Sequence, residues 1–263
     1  MTTRPITHAV RDDRAAIDKA ISLLVSFRDQ ANTGVGVSEL ARRADLNKST
    51  AFRVLGILER NGVVERVGTS YRLGPRLHEL SRGAYTSDHE ALRDMLIPFV
   101  ADVYERTHET THLAVLVGAD VLYLAKLYGY RRIRSPSRIG GRAPAYCTAV
   151  GKILLAYDSD AAATAAATLR PFTSHTVTDA AALSLQLARV RRDGIAFDDE
   201  EIQRGLSCVA VPIFGPAGCP VAALSIAGAT GSIDIRRHVP TLRRVAAAAG
   251  QMFTESISKN TRL

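Results

Sequence analysis

The chain has 263 residues, 46% of them apolar, with 34 Lys+Arg against 26 Asp+Glu and a formal charge of +8. That length points to one large domain or two smaller ones, and the apolar share excludes wholesale disorder. Three scattered cysteines, Cys147, Cys208 and Cys219, exclude a disulfide framework or a Cys-rich zinc site. No run of ~18 uncharged apolar residues is present, so no membrane-spanning helix and no membrane partner is expected. Met1 to Arg14 carries no secretory apolar stretch, so a cytoplasmic location is expected. The basic excess favours an anionic partner without naming it.

Ile17, Ile21, Leu24 and Phe27 recur at helical spacing and predict an amphipathic helix, broken at Asn32-Thr33-Gly34. A second, short helix is expected after Ser38, a good N-cap, with Leu40, Ala41 and Ala44 inward. Asp45-Leu46-Asn47 makes a tight turn, and Asn47 caps a third helix whose inner face is Ala51, Val54, Leu55 and Leu58. Asn61-Gly62 ends it. Short helix, three-residue turn and longer helix is the helix-turn-helix plan. Val63 to Val67, a Gly68-Thr69-Ser70 turn and Tyr71 to Leu73 then form a hairpin, the wing of a winged helix.

The charge supports that reading. Residues 1–80 hold 13 basic and 9 acidic side chains, while residues 81–263 hold 21 and 17. The same net excess is thus packed into less than half the length. In a recognition helix the N-terminal side chains enter the major groove. The candidate double-stranded DNA contacts are therefore Lys48, Ser49, Thr50 and Arg53, with Ser38 on the preceding helix and Arg66 and Arg72 on the wing. Arg53 has the fork that guanine accepts bidentately, and the wing arginines suit phosphates.

Pro75 to Tyr85 reads as a linker helix, and Ser87 or Asp88 opens a long helix to about Thr107. The expected divisions are a winged helix over residues 1–74, a linker helix over 75–88 and a second domain over 89–263. In that domain Thr111 to Val117 and Val121 to Leu127 form one hairpin, and Cys208 to Phe214 and Pro220 to Ala227 another around Gly215-Pro216-Ala217-Gly218. Helices are expected over Thr148 to Tyr157, Ala161 to Leu169, Leu183 to Val190 and His238 to Ser256. Strands in hairpins rather than βαβ repeats predict an antiparallel sheet with flanking helices, an α+β class.

No catalytic constellation emerges, and no cofactor or metal is expected. Gly151-Lys152 lacks the rest of a phosphate-binding loop. His108 and His112 have metal-ligand spacing, but Thr110-Thr111 and the strand after them oppose a helix there. Asp198-Asp199-Glu200-Glu201 reads as a solvated acidic turn or helix start, with cation binding as the alternative. Arg131, Arg132, Arg134, Arg138 and Arg142 read as a solvated loop, with attraction of anionic effectors or an interface as the alternatives. Cys208 reads as a packed strand cysteine. The alternative is a small-molecule enzyme with Cys208 as nucleophile and a basic appendage.

Several segments in order resemble the IclR family of bacterial transcriptional regulators. They are Val37 to Arg43, Leu46 to Leu55, Tyr71 to Gly74, Thr148 to Lys152, Gly205 to Ile213 and Val221 to Gly228. The resemblance runs from about Ala15 to Phe253. It implies a sequence-specific DNA-binding regulator, acting as a homodimer or dimer of dimers on a near-palindromic operator. It implies a GAF-like C-terminal domain that senses a small carboxylate or aromatic effector. By motif position Thr148, Ala149, Asp198, Leu206, Cys208, Ser225 and Ala227 would line that pocket. Relatives often carry serine where Ala227 stands, which implies a less polar pocket or a different ligand.

Overall fold

The computed structural model describes residues 15–27, 34–81, 87–131, 133, 135–216, 218–232 and 234–260. Expectations that touch Met1 to Arg14, Asn32, Thr33, Tyr85, Arg132, Arg134 and Ala217 lie outside them. The chain divides into two compact units between residues 86 and 87.

The first unit is a winged helix. Helices α1 (Ala16–Ser26), α2 (Val37–Arg43) and α3 (Lys48–Arg60) enclose one core of Leu23, Phe27, Leu40, Ala51, Val54 and Leu55. The turn between α2 and α3 runs through Asp45 at φ 53°, and Leu46 packs against the core. Gly62, at φ 70°, ends α3 in the left-handed conformation that a Cβ would strain. Strands β2 (Val64–Val67) and β3 (Ser70–Leu73) form the hairpin, and β1 (Val35–Gly36) adds an unforeseen third strand beside β3. Helix α4 (Arg76–Ser81) follows.

Two local expectations fail. Phe27, just past the end of α1, is buried and Leu24 packs against the same core, as expected. Leu23, however, takes the buried place and Ile17 and Ile21 are exposed, so the apolar stripe is rotated from the expected one. Leu23 and Phe27 are one helical turn apart, and that pair, not the isoleucines, meets the other helices. Ser38 is not a cap: Gly36 holds that position, and Ser38 is an exposed residue in the first turn of α2.

The second unit centres on a six-stranded antiparallel sheet ordered β6-β5-β4-β9-β8-β7. Its strands are β4 (Thr110–Val117), β5 (Asp120–Leu127), β6 (Arg142–Pro144), β7 (Ala196–Asp199), β8 (Leu206–Phe214) and β9 (Pro220–Ala229). The hairpins β4–β5 and β8–β9 join through β4 and β9, and the two short strands close the edges. Helices α5 (Ser87–Thr107) and α9 (Val239–Asn260) pack together and against the sheet. On the other face lie α6 (Ala149–Leu155), α7 (Ser159–Ala166) and α8 (Ala180–Asp193), over Ala114, Tyr123, Ala196, Ala210 and Ala223. Pairing of Cys208 with Ala227, Ala210 with Ser225, and Ser225 with His112 puts these side chains on that same face.

Candidate functional site

In the first unit, α3 turns its apolar side inward, and Lys48, Ser49 and Arg53 point outward from its first turns. Thr50 is half-buried. Neither Lys48 nor Arg53 has an ion-pair partner among the described residues. Phe52, 52% exposed, stands between Ser49 and Arg53, and the sequence reading passed it over. The signal was available: an aromatic outside the inward set of Ala51, Val54 and Leu55 has no core to enter.

The other basic residues differ. Arg42 and Arg43 both clasp Glu39, and their hydrogen bonds hold its carboxyl down at about 2. Arg43 also donates to the Ser26 carbonyl at 3.1 Å, tying α2 to the end of α1. On the wing, Arg66 donates to the Gly68 carbonyl at 3.2 Å, and Arg72 pairs with Glu65 at 2.6 Å across the hairpin. Position along the chain did not separate free arginines from paired ones.

In the second unit, Thr148, Ala149, Asp198, Leu206, Cys208 and Ser225 line one cavity between the sheet and the start of α6. Ala227 lies on the same sheet face as the partner of Cys208 but does not line it. Thr148 occupies the N-cap of α6 and accepts from the Gly151 amide at 3.1 Å. The cavity volume is about 20 Å³. His112, Tyr123, Val150, Ile202 and the segment Ser135-Pro136-Ser137 complete its walls. The arginine-rich loop, expected as simply solvated, therefore delivers Ser137 to a buried position over the sheet.

A hydrogen-bonded chain crosses this site. His112 Nε2 is 2.8 Å from Ser137 Oγ, and His112 Nδ1 is 3.3 Å from Ser225 Oγ. Burial, with the Lys126 charge adding to it, pushes His112 down to about 3, so its ring is neutral. Lys126 Nζ donates to the carbonyl of Ser137 at 2.8 Å and to its hydroxyl at 3.0 Å.

The acidic segment is corrected in part. Asp198 and Glu201 are buried, not solvated. Asp198 accepts from the Glu201 amide at 2.8 Å, yet burial dominates and raises its carboxyl to about 7. Glu201 pairs with Lys152, whose Nζ also donates to the Phe197 carbonyl at 3.1 Å. Lys152 of the Gly-Lys pair thus braces the 198–205 loop to α6. Burial first and the neighbouring Asp198 next push the Cys208 thiol well up, away from the thiolate a nucleophile needs.

No group of three His, Cys, Asp or Glu residues among the described ones is placed to hold a metal ion. Among the same residues no helix is long and apolar enough to cross a membrane.

Two family profiles match the chain. The IclR helix-turn-helix domain covers residues 16–68, and the bacterial transcriptional regulator IclR C-terminal domain covers residues 84–253. The transcriptional regulator XynR of Escherichia coli is 32% identical over 224 residues, 83% of this chain and 88% of XynR. The regulator KdgR of the same organism is 34% identical over 225 residues, 82% of each protein. A solved IclR homologue from Microbacterium hydrocarbonoxydans, in complex with 4-hydroxybenzoate, superposes with a TM-score of 0.73 at 30% identity. It covers 91% of this chain and 99% of its own. The Thermotoga maritima IclR structure gives 0.72 at 29% identity, covering 91% and 97%.

Proposed function

The chain belongs to the IclR family of bacterial transcriptional regulators, a DNA-binding family with a ligand-sensing C-terminal domain, and from that premise we propose how its residues divide the work. Lys48, Ser49, Thr50 and Arg53 enter the major groove, with Arg53 reading a guanine edge and Phe52 offering apolar contact to a thymine methyl. Ser38 on α2, and Arg66 and Arg72 on the wing, meet the phosphate backbone. The active species is a homodimer or dimer of dimers, whose paired recognition helices read a near-palindromic operator from the bacterial cytoplasm. Residues 1–74 read DNA, 75–88 link, and 89–263 sense.

The observation that carries the sensing half is the convergence of Thr148, Ala149, Asp198, Leu206, Cys208 and Ser225 on one cavity under α6. The effector is a small carboxylate or aromatic compound, and Ala227 tunes the sheet face beside it. Effector binding biases the placement of the DNA-reading domains through the linker by ~1–3 kcal/mol, enough to regulate. The test is operator affinity with and without candidate effectors, 4-hydroxybenzoate first because the Microbacterium homologue holds it. A shift of at least about fivefold supports the reading. Equal affinity with every bound compound refutes it. The enzyme alternative predicts turnover that Cys208→Ser abolishes. The regulator reading predicts that the same variant keeps its operator binding.

A further inference from the structure

Among the described residues, Lys126 is a buried cation whose partners are all neutral. It is 6% exposed on β5, its Nζ lies 4.6 Å from the centre of the Tyr128 ring, and both its hydrogen-bond acceptors belong to Ser137. No carboxylate pairs with it among the described residues, whereas Lys152, equally buried, has Glu201. A charge taken out of water without a counter-ion is unfavourable, and an anion that reaches it is held strongly.

Ser137 occupies the place such an anion would take. Its carbonyl and its hydroxyl both face the one ammonium, as the two oxygens of a carboxylate would. Its hydroxyl oxygen is also the meeting point of His112 Nε2 and Ser135 Oγ. An ammonium has only hydrogens to give, so Ser137 Oγ accepts from Lys126. A carboxylate oxygen in that position would accept from Lys126 and from the Nε2–H tautomer of neutral His112.

Resting on the reading of this cavity as an effector pocket, we propose that Lys126 is the cation of a monocarboxylate subsite and that Ser137 plugs it until an effector displaces the 135–137 segment. The cavity of about 20 Å³ has room for roughly one water, so any larger ligand must move a wall. Two walls are loop, Ser135-Pro136-Ser137 and Ile202. The Lys152–Glu201 pair braces the loop that carries Ile202 to α6, which leaves Ser135-Pro136-Ser137 to move. One cation suits one negative charge, since a dianion would bring its second charge close to Asp198. Tyr123, Val150 and Leu206 remain to hold the hydrocarbon or ring.

The test is calorimetric titration of the full-length protein with benzoate, 4-hydroxybenzoate and pyruvate, each beside its amide. It is run on the wild type, Lys126→Met and Ser137→Ala. At least one acid binds the wild type, with its amide about tenfold or more weaker. Lys126→Met weakens that acid by about 10–100-fold and leaves the amide nearly unchanged. Ser137→Ala, with the competing hydroxyl gone, binds the acid several-fold more tightly. Should Lys126→Met fail to fold, the acid-to-amide ratio and Ser137→Ala decide alone. Three results overturn the proposal: acids and amides binding the wild type alike, Lys126→Met keeping full acid affinity, or Ser137→Ala losing it. Binding by amides alone removes the subsite and leaves the sensor standing. Silence from acids and amides together removes both.

Discussion

Glu65 and Arg72 face each other across the β2–β3 hairpin as register partners, 2.6 Å apart, so one of the two wing arginines is already paired. An exposed pair of this kind contributes only about 0.2–1 kcal/mol to the fold. Its larger effect is on DNA, where Glu65 sets a negative charge beside a phosphate contact. Glu65→Gln should therefore raise affinity for every duplex by about two- to tenfold at low salt, with little change in stability. Arg72→Ala should lower the salt slope by about 1. Anisotropy titrations across a salt series measure both. Unchanged affinity in Glu65→Gln would remove Arg72 from the interface.

Arg53, with no carboxylate partner among the described residues, should behave differently from the wing. Arg53→Ala is expected to cost ~1–3 kcal/mol on a selected operator and far less on a scrambled duplex. Lys48→Ala should weaken both duplexes alike if it meets phosphate. Competition binding with the two duplexes separates the roles. An equal loss on both in Arg53→Ala would refute base reading.

Two buried groups of the sensing unit give opposite pH slopes. Burial holds Asp198 at about 7, above the ordinary carboxylate value near 4. The folded chain keeps a proton there that the unfolded chain releases, and this stability is lost as pH rises from about 4 through 7. His112 sits at about 3, below its ordinary value near 6.5. The unfolded chain takes up a proton that the folded ring refuses, so stability is lost as pH falls below about 6.5. Between those values the slopes partly cancel. Asp198→Asn, which keeps an acceptor for the Glu201 amide, should be more stable than the wild type at pH 8. That advantage should vanish near pH 4, and the variant should lose stability more steeply on acidification. Urea midpoints across the range test this, and identical midpoints at pH 8 would contradict it.

Gly151 packs its bare Cα against Ala145, where an added Cβ would overlap the carbonyl oxygen, Cα and carbonyl carbon. Backbone cannot step aside as a flexible side chain can. Gly151→Ala should destabilise the sensing unit by at least about 3 kcal/mol, near the top of the range for overpacking. Thermal unfolding with separate probes of the two units would show the loss confined to one. A variant as stable as the wild type would mean that α6 tolerates displacement.

The long elements were legible because their patterns are strong. The turn at Asp45 to Asn47, the Gly62 helix end and both large hairpins follow from turn chemistry and apolar runs. Strands β1, β6 and β7 were not, being two to four residues long, too short for an alternation to register. The rotated face of α1 shows the same limit: four apolar residues outside the chosen face look like those inside until the partner helices are placed. In the cavity, the resemblance supplied six lining residues, but His112 was weighed only as a metal ligand beside His108. Its role depends on pairing with Ser225, 113 residues away, and on Ser137 in a loop whose composition reads as plain solvated charge. Long-range register of that kind is set by the whole sheet and leaves no local mark.

The β4–β9 seam also orders events in time. The winged helix is complete once Leu73 has been made, from contacts close in sequence. The sheet beneath the cavity cannot close until β9 is finished at Ala229, because His112 waits for Ser225. At the rates of synthesis in cells, roughly 8–30 s separate the two. Non-local pairing then adds its own delay. A newborn chain therefore carries a finished DNA reader before it has anywhere to receive a signal.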